Sequence, residues 1–204
     1  AGVHHIGILR LKDDETVYID EGAVVYGCIH GDGVNRVRIL GRGILDNSEN
    51  VEEILFKVDK LGDGSVDVGN SRREHTIHFI NSSDIVIEGI TIRDSLVYNV
   101  ACFGCSNVSV KNIKIIGCWR YNSDGIDFHN CRNAHVSGCF VRTYDDSLCA
   151  KGHDEYRYDT CEDILFENCV VWNDWGKALE IGAETRAEHL RRITFRNCDV
   201  IHLT

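Results

Sequence analysis

Six segments of this chain obey one restriction. VRILGR (37 to 42), IVIEGI (85 to 90), VSVKNI (108 to 113), AHVSGC (134 to 139), ILFENC (164 to 169) and ITFRNC (193 to 198) all carry Gly or Asn at the fifth position. Those residues, Gly41, Gly89, Asn112, Gly138, Asn168 and Asn197, are the types that accept a left-handed backbone at low cost. The first and third positions are apolar, as in Val37 and Ile39 or Ile164 and Phe166, while the residue between them varies freely. This is the period of a strand with one face buried. Each segment therefore reads as a short strand ending in the same bend.

The later segments start at 85, 108, 134, 164 and 193, so the steps are 23, 26, 30 and 29 residues. That is too short for an ordinary helix plus strand between them, and a repeat of this length implies stacked units. The predicted fold is all-β, a single-stranded right-handed parallel β-helix (a solenoid) with one coil per step. The first step, 37 to 85, is about double and contains the polar stretch Asn47 to Asn70. It reads as a coil with a surface excursion, with a helix expected at Val51 to Lys60.

A second strand set shares these coils: TIHFIN (76 to 81), NVACFG (99 to 104), GIDFHN (125 to 130), SLCAKG (147 to 152) and ALEIGA (178 to 183). Its second and fourth positions are apolar and are expected to face the core. The third then points outward, which predicts an exposed column of His78, Ala101, Asp127, Cys149 and Glu180 at about 4.8 Å spacing. The ten cysteines sort into the same frame. Cys139, Cys169 and Cys198 recur at the sixth position of the first set, and Cys105, Cys131 and Cys161 recur three residues before each new coil. They read as small apolar fillers rather than as disulfides or metal ligands. Cys102 and Cys105 have CxxC spacing, but no second CxxC accompanies them.

At 204 residues, 43% hydrophobic and 26% charged, the chain is long enough for one well-buried core, and residues 1–204 read as one domain. The formal charge of -10 argues against nucleic acid, which needs clustered Lys and Arg. No apolar run approaches the roughly 18 residues that span a bilayer. The chain starts at Ala1 without a charged leader and apolar stretch, so no signal peptide is read. No cofactor or metal is implied, and a monomer is expected.

Just before the second strand set, the coils place His75, Tyr98, Asp124, Asp146 and Lys177 in one column, with Asp145 beside Asp146. Aspartates are common in turns. Registration of Asp124 with the Asp145–Asp146 pair on the neighbouring coil favours a site over a turn, because three carboxylates then share a small region. Crowding raises at least one pKa, leaving one acid protonated as a donor while the others serve as bases. Glycosidic cleavage needs that division of labour.

The stretch from Arg73 to Glu184 resembles the polygalacturonase-like glycoside hydrolases (family 28), with the dextranase group (family 49) more distant. The resemblance is carried by RREHTIHFINSSDIVIEGITIRDS (72 to 95), NSDGID (122 to 127), DDSLCAKG (145 to 152) and GKALEIGAE (176 to 184). It implies that Asp145 is the general acid and that Asp124 and Asp146 hold and deprotonate the attacking water, with inversion at the anomeric carbon. The substrate it implies is a polygalacturonan or pectin-like polysaccharide, and the location extracytoplasmic. Inversion needs a carboxylate gap of roughly 6.5–9.5 Å, so Asp145 is expected to project away from the other two. The chain departs from the family where Gly176, Lys177 and Ala178 replace Gly-His-Gly. The dextranases also lack that histidine, and Glu180 sits where they carry an acid. The family's Arg-x-Lys motif would fall after His202, so one or more C-terminal coils are expected beyond this chain.

Lys151 and Lys177 are candidates for sugar or carboxylate contacts, alongside Asn122, Asp127, Tyr98, His75 and Glu180. Trp119 and Trp175 are possible stacking rings, each equally able to pack under a loop, and His129 has a weaker claim. Three alternatives stand beside the hydrolase. One is a pectate lyase using calcium and an arginine base, Arg120 or Arg142. The others are a neutral-glucan enzyme and a non-catalytic carbohydrate-binding β-helix.

Overall fold

The computed structural model describes residues 1–51, 59–60, 66–67, 74–117 and 121–204. The chain winds into a parallel β-helix whose regular coils carry three strands each. Row 1 contains Ile77–Ile80, Val100–Phe103, Ile126–His129, Leu148–Gly152 and Leu179–Thr185. Row 2 contains Thr16–Ile19, Asn35–Gly41, Ser83–Glu88, Ser106–Lys111, Arg132–Ser137, Thr160–Glu167 and His189–Arg196. Row 3 contains Ile44–Asp46, Thr91–Arg93, Lys114–Gly117, Phe140–Thr143, Val170–Asn173 and Asp199–His202. Every pairing within a row is parallel. The long strand Ala23–Asp32 pairs with both row 1 and row 3, joining them into one 13-stranded sheet, and Gly2–Arg10 adds to its edge.

The bends have the expected conformation. Asn112, Asn168 and Asn197 have φ of 51°, 55° and 50°, and Gly41, Gly89 and Gly138 are also positive. A β-branched residue there would be strained. The alternating apolar residues meet inside the coil: Ile77, Phe79, Val100, Ile126, Phe128 and Leu148 from row 1 and Val37, Ile39, Ile87, Val110 and Val136 from row 2 have no exposed surface. Each contributes roughly 1.5–3 kcal/mol through burial. Phe128, Phe166 and Phe195 continue the stack with centroids 5.7 and 4.9 Å apart.

The nine described cysteines are free thiols, and eight are buried. Cys105, Cys131 and Cys161 lie at 0% exposure, as fillers should. Burial pushes the Cys161 thiol up to about 11, which leaves it inert.

Three expectations need correction. The outward column is in register, His78–Ala101–Asp127–Cys149–Glu180, but Ala101, Asp127 and Cys149 are fully buried rather than exposed. Long neighbouring side chains cover this face. Ile181, expected inside, is 51% exposed, because no described coil stacks over the last turn of row 1. Of the expected helix at Val51 to Lys60, residues 52–58 lie outside the described residues. Asp59–Lys60 instead pairs antiparallel with Val66–Asp67. Trp119 and Arg120 also lie outside the described residues. Among those described, no helix is long and apolar enough to cross a membrane.

Candidate active site

Backbone bonds between coils set the acidic column. Thr76 N donates to Tyr98 O, Asn99 N to Asp124 O, Gly125 N to Asp146 O and Ser147 N to Lys177 O, at 2.8 to 3.0 Å. His75, Tyr98, Asp124, Asp146 and Lys177 therefore stack one coil apart. Buried amides and hydroxyls hold the turns: Asn99 Nδ2 donates to Asp124 O, and Thr143 Oγ1 and Asn173 Nδ2 both donate to Asp145 O. Two glycines let the coils close. A Cβ on Gly176 would lie 2.6 Å from Asp146 N and 2.7 Å from Asp145 Oδ1, and one on Gly125 would collide with Ser147 O. The sequence reading missed Asn99, Thr143 and Asn173. Their signal is a polar residue at a strand boundary, Asn99 just before row 1 and Thr143 and Asn173 at the ends of row 3 strands.

Lys151 is the centre of the site. Its Nζ lies 3.0 Å from Asp124 Oδ2, 3.1 Å from Asp127 Oδ2, 3.4 Å from Asp146 Oδ2 and 3.8 Å from Glu184 Oε2, and its side chain is 3% exposed. Tyr98 covers it, ring centroid 5.2 Å from Nζ. Burial alone would lower the Lys151 ammonium, but the charges of Asp127 and Asp124 raise it above its ordinary value. One cation cannot neutralise three buried carboxylates. Burial, then repulsion from Asp127, pushes Asp124 well above the carboxylate range despite Lys151. Burial works against Asp127 too, yet Lys151 and His129, Nε2 3.6 Å from Asp127 Oδ2, hold it low.

Asp145 faces elsewhere. Its carboxylate oxygens accept N–H from Asn122 and Asp146, both at 3.1 Å. Burial, then the charge of Asp146, raises its pKa. Lys177 N donates to Asp146 Oδ1 at 3.0 Å while its side chain is exposed. Burial and then a hydrogen bond with Asp146 push Glu180 up to about 7. Thus Asp124, Asp127, Asp146, Lys151, Tyr98 and Glu180 converge, with Asn122 and Lys177 meeting the cluster through backbone N–H groups. Glu184, beyond a register shift between Ala150 and Gly152, was not foreseen. His75 packs on Tyr98 at 4.8 Å and accepts Tyr98 N–H at Nδ1.

Two flanks border the column. On the turn side, Trp175 stacks on Tyr144 at 5.7 Å and meets Tyr121 at 5.2 Å, with Trp175 50% exposed. On the sheet side, residues 153–159 run back across the coils. Asn130 Nδ2 donates to His153 O and Tyr158 O, Arg157 N donates to Asn81 Oδ1, and Tyr156 packs on Phe103 at 4.9 Å. Arg142 pairs with Asp174 at 3.1 Å and lies over Trp172. Asp124, Asp146 and Cys149 bring ligand atoms within 4.8 Å of one another, but Lys151 Nζ occupies the neighbourhood a calcium ion would need, and a thiol is a poor calcium ligand.

The titrating groups predict a stability dome. Burial holds His30, His75, His78 and His129 below their unfolded values, His78 at about 4. Folded protein therefore binds fewer protons at these histidines up to about pH 6.5, and stability rises with pH. Asp124, Asp145 and Glu180 are raised, so the folded state keeps protons that the unfolded state has lost, and their contribution fades as pH climbs. With four histidines against three acids, Tm is expected to peak near about pH 6.5 and to fall on both sides. Thermal melts from pH 4 to 9 check this; a Tm rising steadily to pH 9 would contradict it.

A sequence profile described as Glycosyl hydrolases family 28 matches residues 10–203. A probable polygalacturonase of Vitis vinifera is 33% identical over 86 residues, 41% of this chain and 18% of that protein. The exopolygalacturonase of Thermotoga maritima superposes with a TM-score of 0.80 at 20% identity, over 97% of this chain and 56% of that one. The family 28 exopolygalacturonase of Yersinia enterocolitica gives a TM-score of 0.68 at 19% identity, over 97% and 52%. At these identities the structural likenesses speak for the fold. The chain spans under a fifth of the Vitis protein and about half of each enzyme structure.

Proposed function

The chain belongs to glycosyl hydrolases family 28, and from that premise we propose that it hydrolyses O-glycosidic bonds of a pectin-type polysaccharide with inversion. In this reading Asp145 protonates the leaving oxygen, while Asp124 and Asp146 position the attacking water and Asp146 takes its proton. The observation that carries it is the division of the carboxylates: Asp124 and Asp146 turn to Lys151 at 3.0 and 3.4 Å, whereas Asp145 turns to the backbone N–H groups of Asn122 and Asp146. An acid placed apart from the water-holding pair is the arrangement inversion needs. The raised pKa of Asp145 suits a donor. Lys177, exposed beside Asp146, is the residue proposed to meet a substrate carboxylate; Lys151 serves the protein's own carboxylates.

A reducing-sugar assay on polygalacturonan, methyl-esterified pectin, a neutral glucan and dextran tests the class, and proton NMR of the first-formed anomer tests the stereochemistry. Release from a pectin-type polymer with the anomer opposite to the cleaved linkage is expected. Unsaturated, ultraviolet-absorbing ends would point to a lyase, and binding without release to a carbohydrate-binding scaffold.

A further inference from the structure

The outward column of row 1 does not stop at His78. His30 pairs with His78 and Arg10 pairs with His30, so the line running through Asp127 continues over two more rungs. His78 lies two rungs from Asp127 and His30 three, about 10 and 14 Å along the axis. There the surface opens into a cavity of about 380 Å³ lined by Arg10, His30, Asp32, Glu74 and His78, within the size range of small-ligand sites.

The cavity's hydrogen-bonding requirement is specific. His30 Nε2 lies 3.1 Å from the His75 carbonyl. A carbonyl only accepts, so Nε2 carries the proton. Burial keeps the ring neutral, which leaves Nδ1 as an acceptor 3.5 Å from Glu74 Oε2. Two acceptors converge without a donor between them, and His30 is 7% exposed. The remaining charges are one cation, Arg10, and two carboxylates, Asp32 and Glu74. A substrate carboxylate entering here would add a third negative charge and bring no donor, whereas a sugar hydroxyl supplies the missing proton.

We propose that this cavity is a subsite for an uncharged sugar residue of the polymer, bound by hydroxyl donation to His30 Nδ1 and the Glu74 carboxylate. It rests on the reading that the acidic column acts on a polysaccharide lying along the axis. The enzyme's preferred polymer then carries charge near the scissile bond and none about two to three rungs away, as a partly esterified or mixed chain does.

The test uses the Asp145→Asn protein, so that no probe is consumed. Tetragalacturonate and its fully methyl-esterified form are titrated while the His30 ring nitrogens are followed by long-range nitrogen-15 NMR. The ester is expected to shift Nδ1 saturably and the acid form to leave it in place. In calorimetry, His30→Ala should weaken the ester at least tenfold and the acid form less than twofold; Glu74→Gln, which keeps shape, serves if the alanine variant does not fold. An equal or larger Nδ1 shift with the acid form, or none with the ester, overturns the subsite. A saturable ester shift in a protein whose parent cleaves no polymer keeps the subsite and overturns the hydrolase reading alone.

Discussion

Lys151→Met is expected to cost about 3–5 kcal/mol of stability, because breaking a buried ion pair from one side strands the partner charge. Here the stranded charge is that of Asp127, 0% exposed, which Lys151 holds low, while Asp124, 2% exposed, loses the hydrogen-bond donor at its Oδ2. Urea melts measure the loss. The double variant Lys151→Met/Asp127→Asn should recover much of it, since removing the opposing charge lifts the penalty even though the volume is unchanged. In both variants turnover should be lost, because the orientation of Asp124 and Asp146 depends on the same ammonium. A single variant melting within about 1 kcal/mol of the parent would show that Lys151 is not the keystone its distances imply.

Asp145→Asn should reduce kcat by roughly 10²–10⁴-fold, the usual worth of a general acid, while oligosaccharide affinity stays near that of the parent. Asparagine still accepts the N–H groups of Asn122 and Asp146 through its oxygen, so the turn is preserved and only the proton is lost. Asp124→Asn and Asp146→Asn should also lose turnover, and the three losses should fall far short of adding, as they do where residues act as one unit. Reducing-end release from the best polymer of the panel reads all three. Near-parental kcat for Asp145→Asn would move the donor role elsewhere in the cluster, with Glu180 the first alternative because its carboxyl titrates at about 7.

The parts legible in the sequence were those tied to backbone conformation and to period. Gly or Asn at six bends could only mean a recurrent left-handed turn, and all six have positive φ. The column of Asp124 and Asp146 followed from counting back from row 1. What escaped was decided by things a strand pattern does not encode. Lys151 sits at the fifth place of the segment SLCAKG and was read as reaching for substrate, yet four neighbouring carboxylates claim it. Asp127 and Cys149 point outward but are sealed, since covering depends on the lengths of side chains one coil away. Glu184 enters through an irregular register that no repeat announces.

Residues 153–159 leave the coil of Lys151 and are fastened to Asn130 and, three coils back, to Asn81. In a solenoid each unit answers only to its neighbours, so the structure comes apart stepwise from its ends, like a one-dimensional chain of independent links. This crossing strap adds a longer-range coupling to that chain. Opening the coil that bears Asn81 or Asn130 therefore also costs its contacts with the strap, and these coils flank Asp124, Asp127 and Lys151. Fraying from the ends then meets added resistance before it reaches the coils that carry the chemistry.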